Sequence, residues 1–200
     1  MILLSSNAQQ IFWLGRYLTR VQYLCSQFPF QDNEQARAYA NAFALAAHDA
    51  ESLNQLVQNP QQLASFTQQF QCAKDNIQDL RGVLSSKSYA ELNQLIKTAS
   101  ENKNYICDVV GECHDILEAE SQDVFLFFVL GQNVEQLDRQ LRLHQETQET
   151  LVDLDKVIDL LSHLGWAELK NAWLQLQILP NSINFYRFSD HIQQLFEVDV

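Results

Sequence analysis

The chain has 200 residues, 46% of them hydrophobic, with only 5 Gly and 3 Pro. That length gives one domain, 1–200, able to bury a core without staples, and the shortage of turn residues makes its elements long. Thirteen basic against 25 acidic residues leave a formal charge of −12, which excludes a nucleic-acid partner and docking on anionic lipid, since both reward a basic face.

Helix punctuation divides the chain in order. Ser5 or Ser6 caps a first helix that ends near Phe28, because Pro29 follows. Asp32 with Gln35 reads as a capping box for a second helix running to about Gln58. Asn59-Pro60 opens a third as N-cap and first-turn proline, and Gly82 and Ser85 to Ser88 interrupt it. Ser88 with Glu91 opens a fourth, to about Glu120. Ser121 and Asp123 break the chain before a fifth, which runs to about Glu146. A sixth spans Thr150 to Leu164 and stops at Gly165. A short helix, Ala167 to Leu179, precedes Pro180, and Ser182 caps a last one from Ile183 to Phe196.

Apolar residues alternate steps of three and four along these helices. Ile11, Leu14, Leu18, Val21, Cys25 and Phe28 do so, as do Leu63, Phe66, Phe70, Ala73, Ile77, Leu80 and Leu84, and Phe127, Leu130, Val134, Leu137 and Leu141. One apolar stripe per helix predicts an all-α fold, an antiparallel bundle of about six to eight helices. A shift of 116 residues lays Leu14-Gly15 on Leu130-Gly131, Ile11 on Phe127, Leu18 on Val134 and Val21 on Leu137. Both glycines interrupt strong helix patterns at about 1 kcal/mol each against Ala. A matching cost at matching positions predicts a pseudo-duplication whose two helices cross at their glycines.

Cys25, Cys72, Cys107 and Cys113 show no CxxC spacing and read as small buried hydrophobes rather than a disulfide framework. Met1-Ile2-Leu3-Leu4-Ser5-Ser6 lacks the basic and long apolar regions of a secretion signal. The longest apolar run, Val124 to Gly131, is far short of the ~20 residues that span a bilayer, so a cytoplasmic location is expected. No Glu has a His three residues later, as a ferritin-like metal site needs, and no phosphate loop is present. No cofactor and no metal are expected. Cys113-His114-Asp115 splays about 100° per residue on a helix and forms no catalytic line; His114 reads instead as a surface partner of Glu118. The polar residues of interest are Arg16 and Arg20, four apart on one face, with Glu135, Asp138, Arg139 and Arg142 on the echo helix, and Asp75, Asn76 and Arg81 on the third. They read either as solvated flanks or as a polar cluster at the helix crossing.

At these residues the sequence resembles the alpha-E domain family, a bacterial helical family named for its helices and a Glu-Arg motif. Phe12-Trp13-Leu14-Gly15-Arg16-Tyr17-Leu18-Thr19-Arg20 is similar to its opening Tyr-Trp-x-Gly-Arg-Tyr-x-Glu-Arg, and Asn59-Pro60 to its Asn-Pro turn. Asp75-Asn76 to Arg81, then Ser85-Ser86, Tyr89 and Glu91-Leu92-Asn93, is similar to its Glu-Asn-Ala-Arg…Arg…Ser…Trp-Glu-x-Leu-Asn stretch. Leu130-Gly131-Gln132 to Glu135-Gln136 and Asp138, then Arg142, is similar to its second Leu-Gly-Arg-x-Leu-Glu-Arg-Ala-Asp helix. The likeness covers residues 4–145. Three positions depart: Thr19 replaces the first Glu, Gln136 the second Arg, and Gln132 another Arg.

The resemblance implies association with ATP-grasp, transglutaminase-like and amidohydrolase-like proteins that make or modify peptide-like amides. The expected function is a non-catalytic helical binding or scaffold partner of an ATP-grasp-type peptide or amide ligase. The alternatives are a stand-alone enzyme acting on a peptide-like amide, and a structural adaptor with a decayed ancestral site. The binding residues expected are Arg16, Arg20, Asp75, Asn76, Arg81, Glu135, Asp138 and Arg142. Because copy one keeps Arg20 and copy two keeps Glu135, those two should pair across the crossing.

Overall fold

A computed structural model describes residues 3–101 and 105–197. Among these the chain forms ten α-helices and no strand: α1 (Ser5–Gln27), α2 (Asn33–Ala42), α3 (Ala50–Gln58), α4 (Phe66–Asp79), α5 (Ser86–Glu101), α6 (Ile106–Glu118), α7 (Gln122–Arg142), α8 (Gln148–His163), α9 (Glu168–Ile178) and α10 (Ser182–Glu197). None is long and apolar enough to cross a membrane.

The all-helical expectation holds, with more helices than expected. The second expected helix divides at Phe43–Asp49. Ala44 takes a left-handed φ of 52°, and Asp49 restarts the helix by accepting from the Ser52 backbone N–H while the Ser52 hydroxyl serves the Asp49 N–H. The fourth expected helix crosses residues 102–104, which lie outside the described residues. Several caps also move. Asp32 caps α2 as expected, but Asn59 only closes a turn onto the Gln61 N–H. Ser65 caps α4, Ser85 serves the Ser88 N–H, Asn181 caps α10, and α1 starts from Leu4 without a side-chain cap. Leu63 therefore lies before α4, exposed rather than in the seam. Gly165, at φ +105°, ends α8 as expected.

The internal echo extends over four helices. The 116-residue shift lays α1 on α7, α2 inside α8, α3 across α9 and α4 inside α10, with α5 and α6 between the two repeats. α1 packs chiefly on α7 and α4. Leu14, Leu18, Phe70, Ile77, Leu130 and Leu137 share one main core. A smaller core under α2 and α3 holds Leu24, Phe30, Tyr39, Leu53 and Val57. The antiparallel expectation fails for the central pair. Phe12 meets Gly131, Arg16 and Arg20 meet Glu135, and Tyr23 meets Arg139; both numbers rise together, so α1 and α7 run parallel.

The cysteine reading is corrected. Cys25, half-buried, is bonded to Cys107, which is exposed, across 82 residues of sequence. Only Cys113 is a fully buried free thiol.

Candidate functional site

The two glycines set the spacing of the site. A β-carbon on Gly15 would strike the Phe128 carbonyl oxygen and lie 3.1 Å from the Gln132 nitrogen. One on Gly131 would strike the Phe12 carbonyl oxygen and lie 3.2 Å from the Arg16 nitrogen. The 116-residue shift carries Phe12 to Phe128 and Arg16 to Gln132, so the two contacts are pseudo-twofold mates. Absence of side chains lets the two backbones touch, which justifies glycine inside both helices.

One turn further, this close approach brings Glu135 of α7 under Arg16 and Arg20 of α1. Arg16 Nε donates to Glu135 Oε2 at 2.9 Å. Arg20 grips the same carboxylate side-on, through Nε to Oε1 at 2.5 Å and Nη2 to Oε2 at 2.8 Å, a planar fork that only a guanidinium offers. Arg20 Nη1 also donates to Gln69 of α4 at 3.3 Å. Arg16 lies over the Trp13 ring, 4.8 Å from its centre, and its Nη2 is 3.6 Å from Asp138. Asp138 accepts from Arg142 Nε at 2.7 Å. Arg142 donates onward to the Ala42 carbonyl at 3.2 Å and the Tyr186 hydroxyl at 2.9 Å.

Arg16, Glu135 and Asp138 are buried, while Arg20 and Arg142 each keep 30% of their side chain exposed. Burial pushes the Glu135 carboxyl up, but Arg20 and then Arg16 outweigh it and hold it below the ordinary Glu range. Burial likewise opposes the charge on Arg20, and Glu135 outweighs it. The pairing is thus mutual, although desolvation offsets much of its Coulomb gain.

The exposed edges of Arg20 and Arg142 line an open cleft of about 310 Å³. Its other walls include Leu24, Tyr39, Phe43, Leu45 and Leu63. A hollow of about 10 Å³, walled by Arg20, Tyr23, Tyr39, Phe43, Glu135 and Arg139, lies against the same aromatic wall. Burial pushes the Tyr39 hydroxyl well above the usual tyrosine range. Arg139 stacks 3.9 Å from the Tyr23 ring centre, and its buried Nε has no partner among the described residues.

Five of the eight expected residues come together: Arg16, Arg20, Glu135, Asp138 and Arg142. The other three do not join them. Asn76 is buried but bonds to Gln10. Asp75 is exposed and accepts from Gln71, and Arg81 is exposed. Gln69, Tyr39, Phe43 and Tyr186 were not expected. Tyr39 and Phe43 are four apart on one helix face, a spacing legible in sequence; Gln69 and Tyr186 carry no such signal.

The twofold mate of the cluster is different. Thr19, Gln132 and Gln136 stand where Glu135, Arg16 and Arg20 stand in the first. The Gln132 amide nitrogen lies 2.6 Å from His114 Nδ1, and Gln136 donates to Thr150 at 3.0 Å. His114 is buried rather than a surface partner of Glu118. Burial lowers its pKa, against opposing support from the Leu18 backbone, Glu118 and Asp115. Thr19 Oγ1 is buried without a partner among the described residues.

The model of a family described as a predicted alpha-helical domain with a conserved ER motif, Alpha-E, matches residues 3–188. No curated protein and no solved structure matches the chain. The chain belongs to the Alpha-E family.

Proposed function

We propose that this Alpha-E chain is a non-catalytic helical binding partner of an ATP-grasp-type peptide or amide ligase system, and that it holds a ligand in the cleft beside Arg20 and Arg142. The supporting observation is the state of Glu135. Its two oxygens accept three hydrogen bonds from two guanidinium groups, and its pKa is held down. Such a carboxylate has no proton to donate at neutral pH and little basicity to offer, so it serves as a brace rather than a general acid or base. The brace, with Asp138, fixes two guanidinium edges at the mouth of an amphipathic cleft. Preorganised donors beside an apolar wall favour binding, because their ordering precedes the ligand. Transglutaminase-like and amidohydrolase-like proteins are the other partners in this proposal.

Pull-down from native cells tests it, using the intact chain and Arg142→Met side by side. An ATP-grasp ligase that co-purifies with the intact chain and is depleted with the variant is the expected result. Amide hydrolysis by the purified chain that disappears in Glu135→Gln overturns it in favour of an enzyme. The proposal places the chain in the cytoplasm, where disulfides are rare. A Cys25–Cys107 bond found intact in protein alkylated at the moment of lysis stands against that location.

A further inference from the structure

We infer that the cleft is a carboxylate site, taking the free terminal carboxylate of a short peptide or acylated amino acid with an apolar side chain next to it. This rests on the reading of the chain as a binding domain and narrows it to a ligand class.

Charge gives the first argument. Arg16, Arg20, Arg139 and Arg142 face only two carboxylates, Glu135 and Asp138, in this cluster. Four against two leaves a surplus of two in the cluster, of which the cleft's own lining, Arg20 and Arg142 against Asp138, carries one, in a chain of net charge −12. A partly enclosed positive surplus is less favourable without a counter-ion. Solvation by the cleft's open mouth offsets part of this, and a bound anion offsets more.

Donor count gives the second. A guanidinium carries five N–H groups. Among the described residues Arg20 uses three, on Glu135 twice and on Gln69. Arg142 uses three, on Asp138, Ala42 and Tyr186. Two N–H groups remain on each, on side chains that line the cleft. Glu135 and Asp138 cannot turn to accept them, since both are already held.

The walls give the third. Leu24, Tyr39, Phe43 and Leu45 line the cleft together with the two arginines and Asp138, and Leu63, 82% exposed, adds to its wall. Arg142 lies 5.5 Å from the Phe43 ring centre, so charged and apolar surfaces meet within one residue's reach. A bare inorganic anion satisfies the arginines and leaves these walls wet. A neutral apolar group does the reverse. A monoanion carried on an apolar group satisfies both, and about 310 Å³ is at the small end of ligand sites, enough for a terminal residue and little more. Arg20 and Arg142 are each already partly neutralised by a carboxylate, which suits one further negative charge rather than two.

Titration calorimetry on the full chain tests this with three probes: N-acetyl-L-phenylalanine, N-acetyl-L-phenylalaninamide and phenyl phosphate. The acid is expected to bind at least tenfold more tightly than the amide and than phenyl phosphate. Arg142→Met and Phe43→Ser should each weaken the acid at least tenfold. Arg142→Lys and Phe43→Leu give the same comparison, with smaller losses, should either variant fail to fold. Equal binding of acid and amide, tighter binding of the phosphate, or no binding of any probe overturns the carboxylate assignment. If the probes fail but an ATP-grasp ligase still co-purifies, the ligand class falls and the partner reading stands. If the acid binds through Arg142 and no ligase co-purifies, the partner reading falls and the cleft assignment stands.

Discussion

Changing Glu135 to Gln keeps the shape of the side chain and removes the charge at the centre of the cluster. Three hydrogen bonds from two guanidinium groups lose their anionic acceptor. Arg16, buried at 6% exposure, is left with only Asp138, 3.6 Å away. Breaking a buried ion pair on one side costs about 3–5 kcal/mol, because the other charge is stranded. Arg20→Met is a milder change. Glu135 keeps Arg16, and Arg20 is itself partly exposed, so the loss should be about 1.5–3 kcal/mol, the scale of hydrogen bonds to charged groups. In the double variant the Arg20–Glu135 contact cannot be lost twice. Its cost should fall short of the sum of the singles by about 1 kcal/mol or more, within the range of coupled neighbours. Urea unfolding of the four proteins, with m held constant as a check on comparable unfolded states, measures this. Additive losses below about 0.5 kcal/mol each, the range of surface changes, would refute the buried network.

Gly15→Ala should destabilise by at least about 1–3 kcal/mol through forced separation of α1 and α7, against the usual gain of replacing a helical glycine. Gly111→Ala in α6, where a β-carbon meets nothing within 4 Å, should instead gain about 0.5–1 kcal/mol; thermal melts that rank the two the other way contradict the crossing. His114 has its pKa lowered by burial, so the unfolded chain binds more protons at mildly acid pH. Stability should therefore fall as pH drops below about 6.5 and through the lower folded value. His114→Gln should flatten that decline, and parallel curves would remove the assignment. Cys25→Ser opens a loop of 82 residues and should cost about 2–5 kcal/mol. Alkylation of purified, air-oxidised protein, unfolded without reductant, should label Cys72 and Cys113 alone, and labelling of all four would show that the bond does not form.

The central pair of helices was legible because two signals coincide there. Apolar period fixed which faces of α1 and α7 turn inward, and a glycine in each strong pattern fixed where they touch. From that register the Arg20–Glu135 contact follows. The direction of the pair did not follow, since short loops favour antiparallel neighbours, whereas five helices, α2 to α6, separate α1 from α7. The break at Phe43–Asp49 was written as Asp49-x-x-Ser52 and missed, because a serine at the fourth position reads less plainly than a carboxylate or amide. Arg81 and Asp75 lie close to an apolar seam in sequence, yet Asp75 is on the solvent side of α4 and Arg81 falls in the turn after that helix ends. No sequence argument joins Cys25 to Cys107, since pairing depends on how α1 and α6 meet, not on spacing.

The three departures in the two repeats concern one place. Thr19 lies in copy one, and Gln132 and Gln136 in copy two. They lie far apart in sequence, but the parallel crossing sets all three at the mate of the Arg16–Arg20–Glu135 cluster. The surroundings of the two places differ. At the mate, α6 brings His114 against Gln132, and α8 brings Thr150 against Gln136. At the retained cluster, α2, the counterpart of α8, stands off with α3 over a separate small core, and the cleft opens between. The mate is no drier than the cluster: Thr19, Gln132 and Gln136 are half-buried, whereas Arg16 and Glu135 are buried, so what distinguishes the two places is the neighbours each meets and not the depth of burial. The buried charges of the Arg16–Arg20–Glu135 cluster add little net stability for their number, because desolvation offsets much of their attraction. Beside the open cleft Arg20 and Arg142 still reach solvent, which is what the proposed binding role requires of those two side chains.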